Sequence, residues 1–286
     1  MNVLIVGGSG FLGRTLYLFL KKKKLNTYIL CRTYNKSKNF ITCDVSNKLT
    51  LVKRLNRLNI NFDFVINLSG QINNDNQKMK KTIINGNRNL IEYFNSKKTI
   101  IIFISSILVY LSSKKILSEK GKLSFLNSYS SLKIKAENLY KKKCKKFIIL
   151  RLGNIYDGSF KKKSLFKNIL DSINPSKIIN FLNIKSSRSY LHRLDFCEGI
   201  YKCIINSGNK NLNKIYNLGH QNFTNIEIVK IFEKIFKVKI NFYNMNKRLS
   251  LDPIIKIKSE KFIKNYKFTF KYNLQKELKK YDKKLF

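Results

Sequence analysis

A chain of 286 residues that is 43% hydrophobic and 13% aromatic can bury a substantial core, which excludes a disordered polypeptide. No apolar run is long enough to span a bilayer, and five cysteines without a CxxC pair and with almost no nearby histidine exclude a metal site or disulfide framework. The net charge of +42 reads either as a polyanion partner or as compositional drift, and the scatter of lysine clusters (Lys21–Lys24, Lys141–Lys143, Lys279–Lys280) amid abundant Asn, Ile and Phe favours drift.

In chain order, the apolar start Met1–Leu20 places its lysines after the apolar run and carries four glycines. It reads as the beginning of a mature, untargeted fold in a reduced, cytoplasmic setting rather than as a signal peptide. A strand is expected at Asn2–Val6. Gly7-Gly8-Ser9-Gly10-Phe11-Leu12-Gly13 follows and opens a helix over Phe11–Lys22. Glycines at the first, fourth and seventh places permit a sharp turn and a close approach of backbone to a pyrophosphate, with the helix N-terminus facing the phosphate charge. Further strands are expected at Thr27–Cys31, Phe40–Cys43, Phe64–Leu68, Thr99–Ile104 and Phe147–Leu152, with helices at Leu49–Leu58, Met79–Asn95 and Tyr129–Lys143. This alternation predicts an α/β fold, a doubly wound parallel sheet of the Rossmann type with a dinucleotide at the carboxyl ends of its strands. Residues 1–155 are expected to form that dinucleotide-binding domain. Residues 156–286, with helices near Lys163–Ile173, Asn225–Phe236 and Leu274–Tyr281, are expected to form mainly a smaller substrate lobe, with a strand able to return to the sheet.

The end of the second strand bears on the cofactor. An acid there binds the ribose 2′-hydroxyl of NAD, whereas an arginine accommodates the 2′-phosphate of NADP. The chain has Cys31-Arg32 and no acid, which favours NADP over NAD. Asp44, after the third strand, is placed either to hold the adenine amino group or to cap the helix near Asn47.

Ser105-Ser106 ends a strand, and about twenty residues on Tyr129 and Lys133 stand four apart at the start of a helix, on one face. A free phenol, with a pKa near 10, is too weak a base at neutral pH. One cation at about 4 Å in an effective dielectric near 20 contributes roughly 4 kcal/mol, or about three pKa units before desolvation opposes it. Lys133, together with an oxidised nicotinamide, is therefore expected to bring Tyr129 towards neutrality. Ser106 is expected to hydrogen-bond the substrate oxygen.

With these segments in place the chain resembles the extended short-chain dehydrogenase/reductases, the NAD-dependent epimerase/dehydratase group acting on nucleotide-linked sugars. The resemblance also runs through Asp63–Gly70, Asn85–Leu90, Arg151–Tyr156, Arg188–Asp195, Tyr216–Gly219 and Ser259–Leu274. It implies an oxidoreductase with Ser106, Tyr129 and Lys133 as catalytic residues. The dinucleotide would lie along Gly7, Gly10, Phe11, Leu12, Gly13, Arg32, Asp44, Val45, Leu68, Ser69 and Asn85, with Tyr129 and Lys133 at its reactive end. Asn154 and Arg188 would contact the sugar or its phosphates, His192 would be structural, and the helices Met79–Asn95 and Tyr129–Lys143 would pair two copies into a homodimer. Ile107 and Leu108 stand where the dehydratases and decarboxylases of this group carry an Asp or Glu, so dehydration and decarboxylation drop out, leaving 4-epimerisation or 4-keto reduction. The contrasting reading is an RNA-binding or regulatory protein on the same fold; retention of the Tyr–Lys pair and the lack of an aromatic-studded RNA motif argue against it.

Overall fold

The computed structural model describes residues 1–34, 36–70, 74–125, 127–160, 164–173, 178–181, 184–244 and 253–282. Runs of Val, Ile, Leu and Phe in the first half form strands buried on both faces. These are β1 (Asn2–Val6), β2 (Asn26–Cys31), β3 (Phe40–Thr42), β4 (Phe64–Asn67) and β5 (Ile100–Ser106). A two-residue strand, β6 (Ile116–Leu117), precedes β7 (Phe147–Leu152), all six of whose residues are buried. The helices between them are α1 (Phe11–Lys22), α2 (Lys48–Leu58), α3 (Asn76–Lys80), α4 (Gly86–Phe94) and α5 (Ser128–Lys143). A π-helical turn, Lys81–Asn85, joins α3 to α4, so the single helix expected over Met79–Asn95 is a rod with one over-wide turn.

Beyond β7 come β8 (Asn154–Tyr156), α6 (Leu165–Asp171), β9 (Ile179–Phe181), β10 (Ser187–His192) and α7 (Arg193–Ile205). They are followed by β11 (Lys214–Leu218), β12 (Gln221–Thr224), α8 (Asn225–Phe236), β13 (Phe242–Asn244), β14 (Lys256–Ile257), α9 (Glu260–Tyr266) and α10 (Leu274–Asp282). The expected start of a helix at Lys163 lies outside the described residues.

Seven strands form one sheet in the order β11-β7-β5-β4-β1-β2-β3, every neighbouring pair parallel. Continuous apolar strands of this kind need both faces covered. One core gathers Leu16 and Leu20 of α1, Phe196 and Ile200 of α7 and Phe262 of α9 against one face. The other packs Leu51, Leu90, Leu132, Ala136 and Tyr140 against the opposite face. The strand order reverses between β1 and β4, and this switch point opens a crevice beyond their carboxyl ends. The glycine loop leaves β1 at that crevice, and Leu68–Gly70 leaves β4 beside it.

The remaining strands build a three-stranded sheet, β12-β10-β8, and two pairs, β13-β9 and β14-β6. A separate aromatic cluster of Tyr156, Phe166, Phe181, Tyr190, Phe232 and Leu274 sits there. The fifth strand runs two residues past its expected end because Ser105 and Ser106 pair in register with Arg151 and Leu152 of β7. Among the described residues, no helix is long and apolar enough to cross a membrane.

Candidate active site

The loop after β1 is shaped by the absence of side chains, and its four glycines do different things. Gly7 has φ +79°, in the left-handed region, and a Cβ there would meet the Ser69 backbone at 3.1 Å. A Cβ on Gly13 would stand 2.4 Å from the Cα of Gly8, and one on Gly8 would stand 2.7 Å from the Ile29 side chain. These two glycines let α1 lie against β1 and β2. Gly10 is different: a Cβ there would find only the Gly7 carbonyl, at 3.6 Å, so the space beside it is open. That open face borders a cleft of about 270 Å³ lined by Gly7, Ser9, Gly10, Arg32, Asp44, Val45, Leu68, Ser69 and Thr82, among others. A backbone-walled cradle that one Cβ would fill, set at a helix N-terminus, fits a dinucleotide pyrophosphate.

Of the residues implied as cofactor contacts, Phe11 and Leu12 face a second cavity of about 240 Å³, with Ile155, Tyr156 and Phe166. Asn85 lies half-buried in the π-helical turn and is not among the residues lining the first cleft, where Thr82 takes the place. Asp44 does not cap the following helix; Asn47 does, accepting from the Thr50 amide. The Asp44 carboxylate accepts from the amide and hydroxyl of Ser46. Partial burial works against its charge, but those bonds and the nearby Arg32 and Lys81 cations hold its carboxyl below the usual range.

Behind the crevice lies a polar network not assigned from the sequence. Buried Asn67 accepts from the amide and hydroxyl of Ser69 and donates to Asn87, which also accepts from the Tyr140 hydroxyl at 2.7 Å. Asn89 donates to the Val45 carbonyl. Together these bonds fix the loops after β3 and β4 to the α4 and α5 helices. The repeated asparagines of Asn85–Leu90 were the available signal.

At the other end, β5 and α5 bring Ser106, Tyr129 and Lys133 together. Asn127 caps α5 by accepting from the Ser130 amide, which starts the helix so that Tyr129 and Lys133 share its buried face. The Ser106 hydroxyl accepts from the Leu108 amide at 3.2 Å and stands close enough to the Tyr129 phenol to favour its ionised form. The Lys133 ammonium, 5.7 Å from the centre of the Tyr129 ring, donates to the Ile104 carbonyl at 2.9 Å. Burial pushes the Tyr129 phenol up to about 12, with Ser106 opposing, and pushes Lys133 down to about 7, with Glu137 opposing. In the protein alone, desolvation therefore outweighs the expected lowering of the phenol by the lysine.

Asn154 is the exposed first residue of β8. Arg188, on β10, is turned towards backbone: its Nη1 donates to the carbonyls of Ser187 and Pro253. His192 is the N-cap of α7, its Nδ1 accepting from the Leu194 amide, and its ring stacks on Tyr272. Burial lowers its pKa to about 4, so it is neutral at pH 7.

Residues 3–219 match the model of the NAD dependent epimerase/dehydratase family. The chain belongs to this family. It is 28% identical to a dTDP-D-glucose 4,6-dehydratase of Dictyostelium discoideum over an alignment of 280 residues, covering 84% of this chain and 62% of the relative; it thus spans less than two thirds of that protein's length. Its fold matches a Thermotoga maritima UDP-glucose 4-epimerase solved with UDP-glucose (TM-score 0.81, 17% identity, 100% and 99% of the two chains). It also matches a Bacillus anthracis dTDP-glucose 4,6-dehydratase solved with NAD (TM-score 0.79, 18% identity, 99% and 96%). The NAD dependent epimerase/dehydratase family, on a Rossmann fold, thus accounts for the chain.

Proposed function

We propose that this protein is an NAD(P)-dependent oxidoreductase of a nucleotide-linked sugar, working as a 4-epimerase or a 4-keto reductase through Ser106, Tyr129 and Lys133. The observation that carries this reading is the convergence of Ser106, at the end of β5, with Tyr129 and the buried Lys133 on α5, Lys133 standing 5.7 Å from the centre of the Tyr129 ring. Gly10, Arg32, Asp44, Val45, Leu68 and Ser69 would hold the dinucleotide, which when bound supplies reversible hydride exchange with a sugar carbon. Arg32, with no acid at the end of β2, favours NADP, while structural neighbours have been solved with NAD.

The protein's own part is the proton. Tyr129, protonated at neutral pH, gives its proton to a carbonyl oxygen during reduction and takes it back from the hydroxyl during oxidation, and Ser106 donates to the same oxygen as charge develops on it. Lys133 places a positive charge beside the phenolate that forms. Ile107 is fully buried and Leu108 is apolar, so neither moves the second proton that dehydration requires, although the curated relative is named as a dehydratase. Asn154 and Arg188 remain the proposed substrate contacts. Arg188 would have to exchange its backbone partners for a phosphate to serve.

Titration of the purified protein with NADPH and NADH, followed by nicotinamide fluorescence, tests the reading. Reversible NADPH binding supports the reductase, and NAD retained through purification supports the epimerase. Binding of neither, with a salt-sensitive RNA shift, turns the reading to the RNA-binding alternative. A homodimer through the α3–α4 rod and α5 belongs to the proposal. Among the described residues these helices expose no large apolar side chain, and Lys135, Lys141 and Lys142 are exposed on α5, so salt should strengthen pairing by screening like charges. A monomer by light scattering at both low and high ionic strength removes the dimer.

A further inference from the structure

The buried face of α5 carries two charges one turn apart, Lys133 and Glu137, where an amphipathic helix would place apolar residues. Glu137 is fully buried and both its oxygens are engaged. Oε1 accepts from the Ser105 hydroxyl at 2.6 Å and from Arg151 Nε at 3.0 Å, and Oε2 accepts from Arg151 Nη2 at 2.6 Å. Arg151, 2% exposed on β7, also donates to the Glu119 carbonyl, and its guanidinium lies over the Tyr110 ring. Ser105 neighbours Ser106 on β5. The clamp therefore ties together the strand that holds Ser106, the helix that holds Tyr129 and Lys133, and the strand that leads to Asn154.

The charges do not balance. Lys133 and Arg151 are two buried cations, and Glu137 is the single buried anion between them. A guanidinium keeps its proton at any accessible pH, so any shortage of negative charge is met by the lysine. Around Lys133 stand Tyr129 and Glu137 from α5 and the Ile104 carbonyl and Phe103 ring from β5, while the Ser105 hydroxyl and Arg151 of β7 engage Glu137. Replacing a buried ion pair with apolar residues is often neutral or stabilising. Stability alone thus gives no reason to keep this one.

We propose that Glu137 is a positioning residue for the Tyr129–Lys133 pair: locked by Arg151 and Ser105, it keeps Lys133 protonated and in place under the bound nicotinamide ribose. The inference rests on the functional reading above. It makes Arg151 an opposing influence, because the guanidinium takes up part of the negative charge that would otherwise serve Lys133.

The test is the pH dependence of NADPH and NADH binding between pH 6 and 10, read by fluorescence on wild type, Glu137→Gln and Arg151→Met, each checked for folding by circular dichroism. Affinity should fall on the alkaline side as Lys133 loses its proton. In E137Q this limb should move to lower pH by roughly one to two units, with at least about tenfold weaker binding at pH 8. In R151M, where Lys133 becomes the sole counterion of Glu137, the limb should move to higher pH. A merely structural clamp has no reason to give opposite shifts. If E137Q does not fold, R151M decides alone, since it leaves one cation against one anion. Folded variants whose limb stays in place, or moves the same way in both, overturn the inference while leaving the functional reading intact. A wild type that binds neither dinucleotide overturns both.

Discussion

The two ends of the crevice are built by opposite means. The glycine end is made of backbone: Gly7, Gly8 and Gly13 are held by neighbours at 2.4–3.1 Å from where a Cβ would go, and Gly10 keeps a space open. The α5 end is made of side chains: the Lys133 ammonium, the Glu137 carboxylate and the Arg151 guanidinium are buried beside the half-buried Tyr129 phenol. The first end is rigid because nothing else fits. The second is held by hydrogen bonds to its buried charges, and it is sensitive to pH because two cations there face one carboxylate.

Four changes break or sharpen this contrast. The largest effect is expected from Lys133→Met, which removes one buried cation and leaves the Glu137–Arg151 pair whole. Turnover should fall by about 10²–10⁴-fold while the thermal midpoint holds or rises, checked by steady-state rates beside a melt. A fall in midpoint with rate preserved would make the α5 end structural. Gly13→Ala comes next. Its Cβ meets the Gly8 backbone, so α1 must lift, at a cost of about 3 kcal/mol in a denaturant titration.

His192 carries a milder effect of the α5 kind. Its folded pKa is near 4 and its unfolded value near 6.5, so the unfolded chain binds the extra proton in between. Its stabilising contribution is complete above pH 6.5 and is lost as pH falls towards 4, by about 1–2 kcal/mol after solvent screening. His192→Asn, which keeps an N-cap acceptor, should flatten that part of the stability–pH curve. The smallest effect is expected from Gly10→Ala. Stability should stay within about 1 kcal/mol, because the Cβ points into open space, while NADPH or NADH binding weakens about tenfold or more in a fluorescence titration. Unchanged binding would mean that the cradle is not where the dinucleotide sits.

The same contrast explains what the sequence discloses. A glycine loop between a strand and a helix, or Tyr129 and Lys133 at helical spacing, is a local pattern, and local patterns are legible without a structure. The doubly wound sheet follows from the alternation of apolar runs and amphipathic segments in the same way. The clamp on Glu137 is not local, since its partners Ser105 and Arg151 are 32 and 14 residues away. Likewise Asn87 gains its meaning from Asn67 and Tyr140, 20 and 53 residues off. The expected effect of Lys133 on Tyr129 put a size on the one charge but none on the opposing cost of burial, which the residue spacing does not reveal. The guanidinium of Arg188 is spoken for by carbonyls, one of them from Pro253, 65 residues on, a contact no motif reports.

The shortest strands have a consequence for how the protein is made. The loop after Tyr110 is closed by chain that comes much later: β14 pairs with β6, and the Ile254 amide donates to the Ser112 hydroxyl across 142 residues. Asn217 seals the same junction, donating to the carbonyls of Leu117 and Lys258 and accepting from the Tyr110 hydroxyl. On the ribosome, at about 5–20 residues per second, the glycine cradle has all its residues made roughly 10–35 seconds before this closing segment exists. The residues of the cradle are thus made well before the loop leading from Ser106 can close, but α1 gains its packing partners Phe196, Ile200 and Phe262 only late, so both ends of the crevice are completed by the last third of the chain.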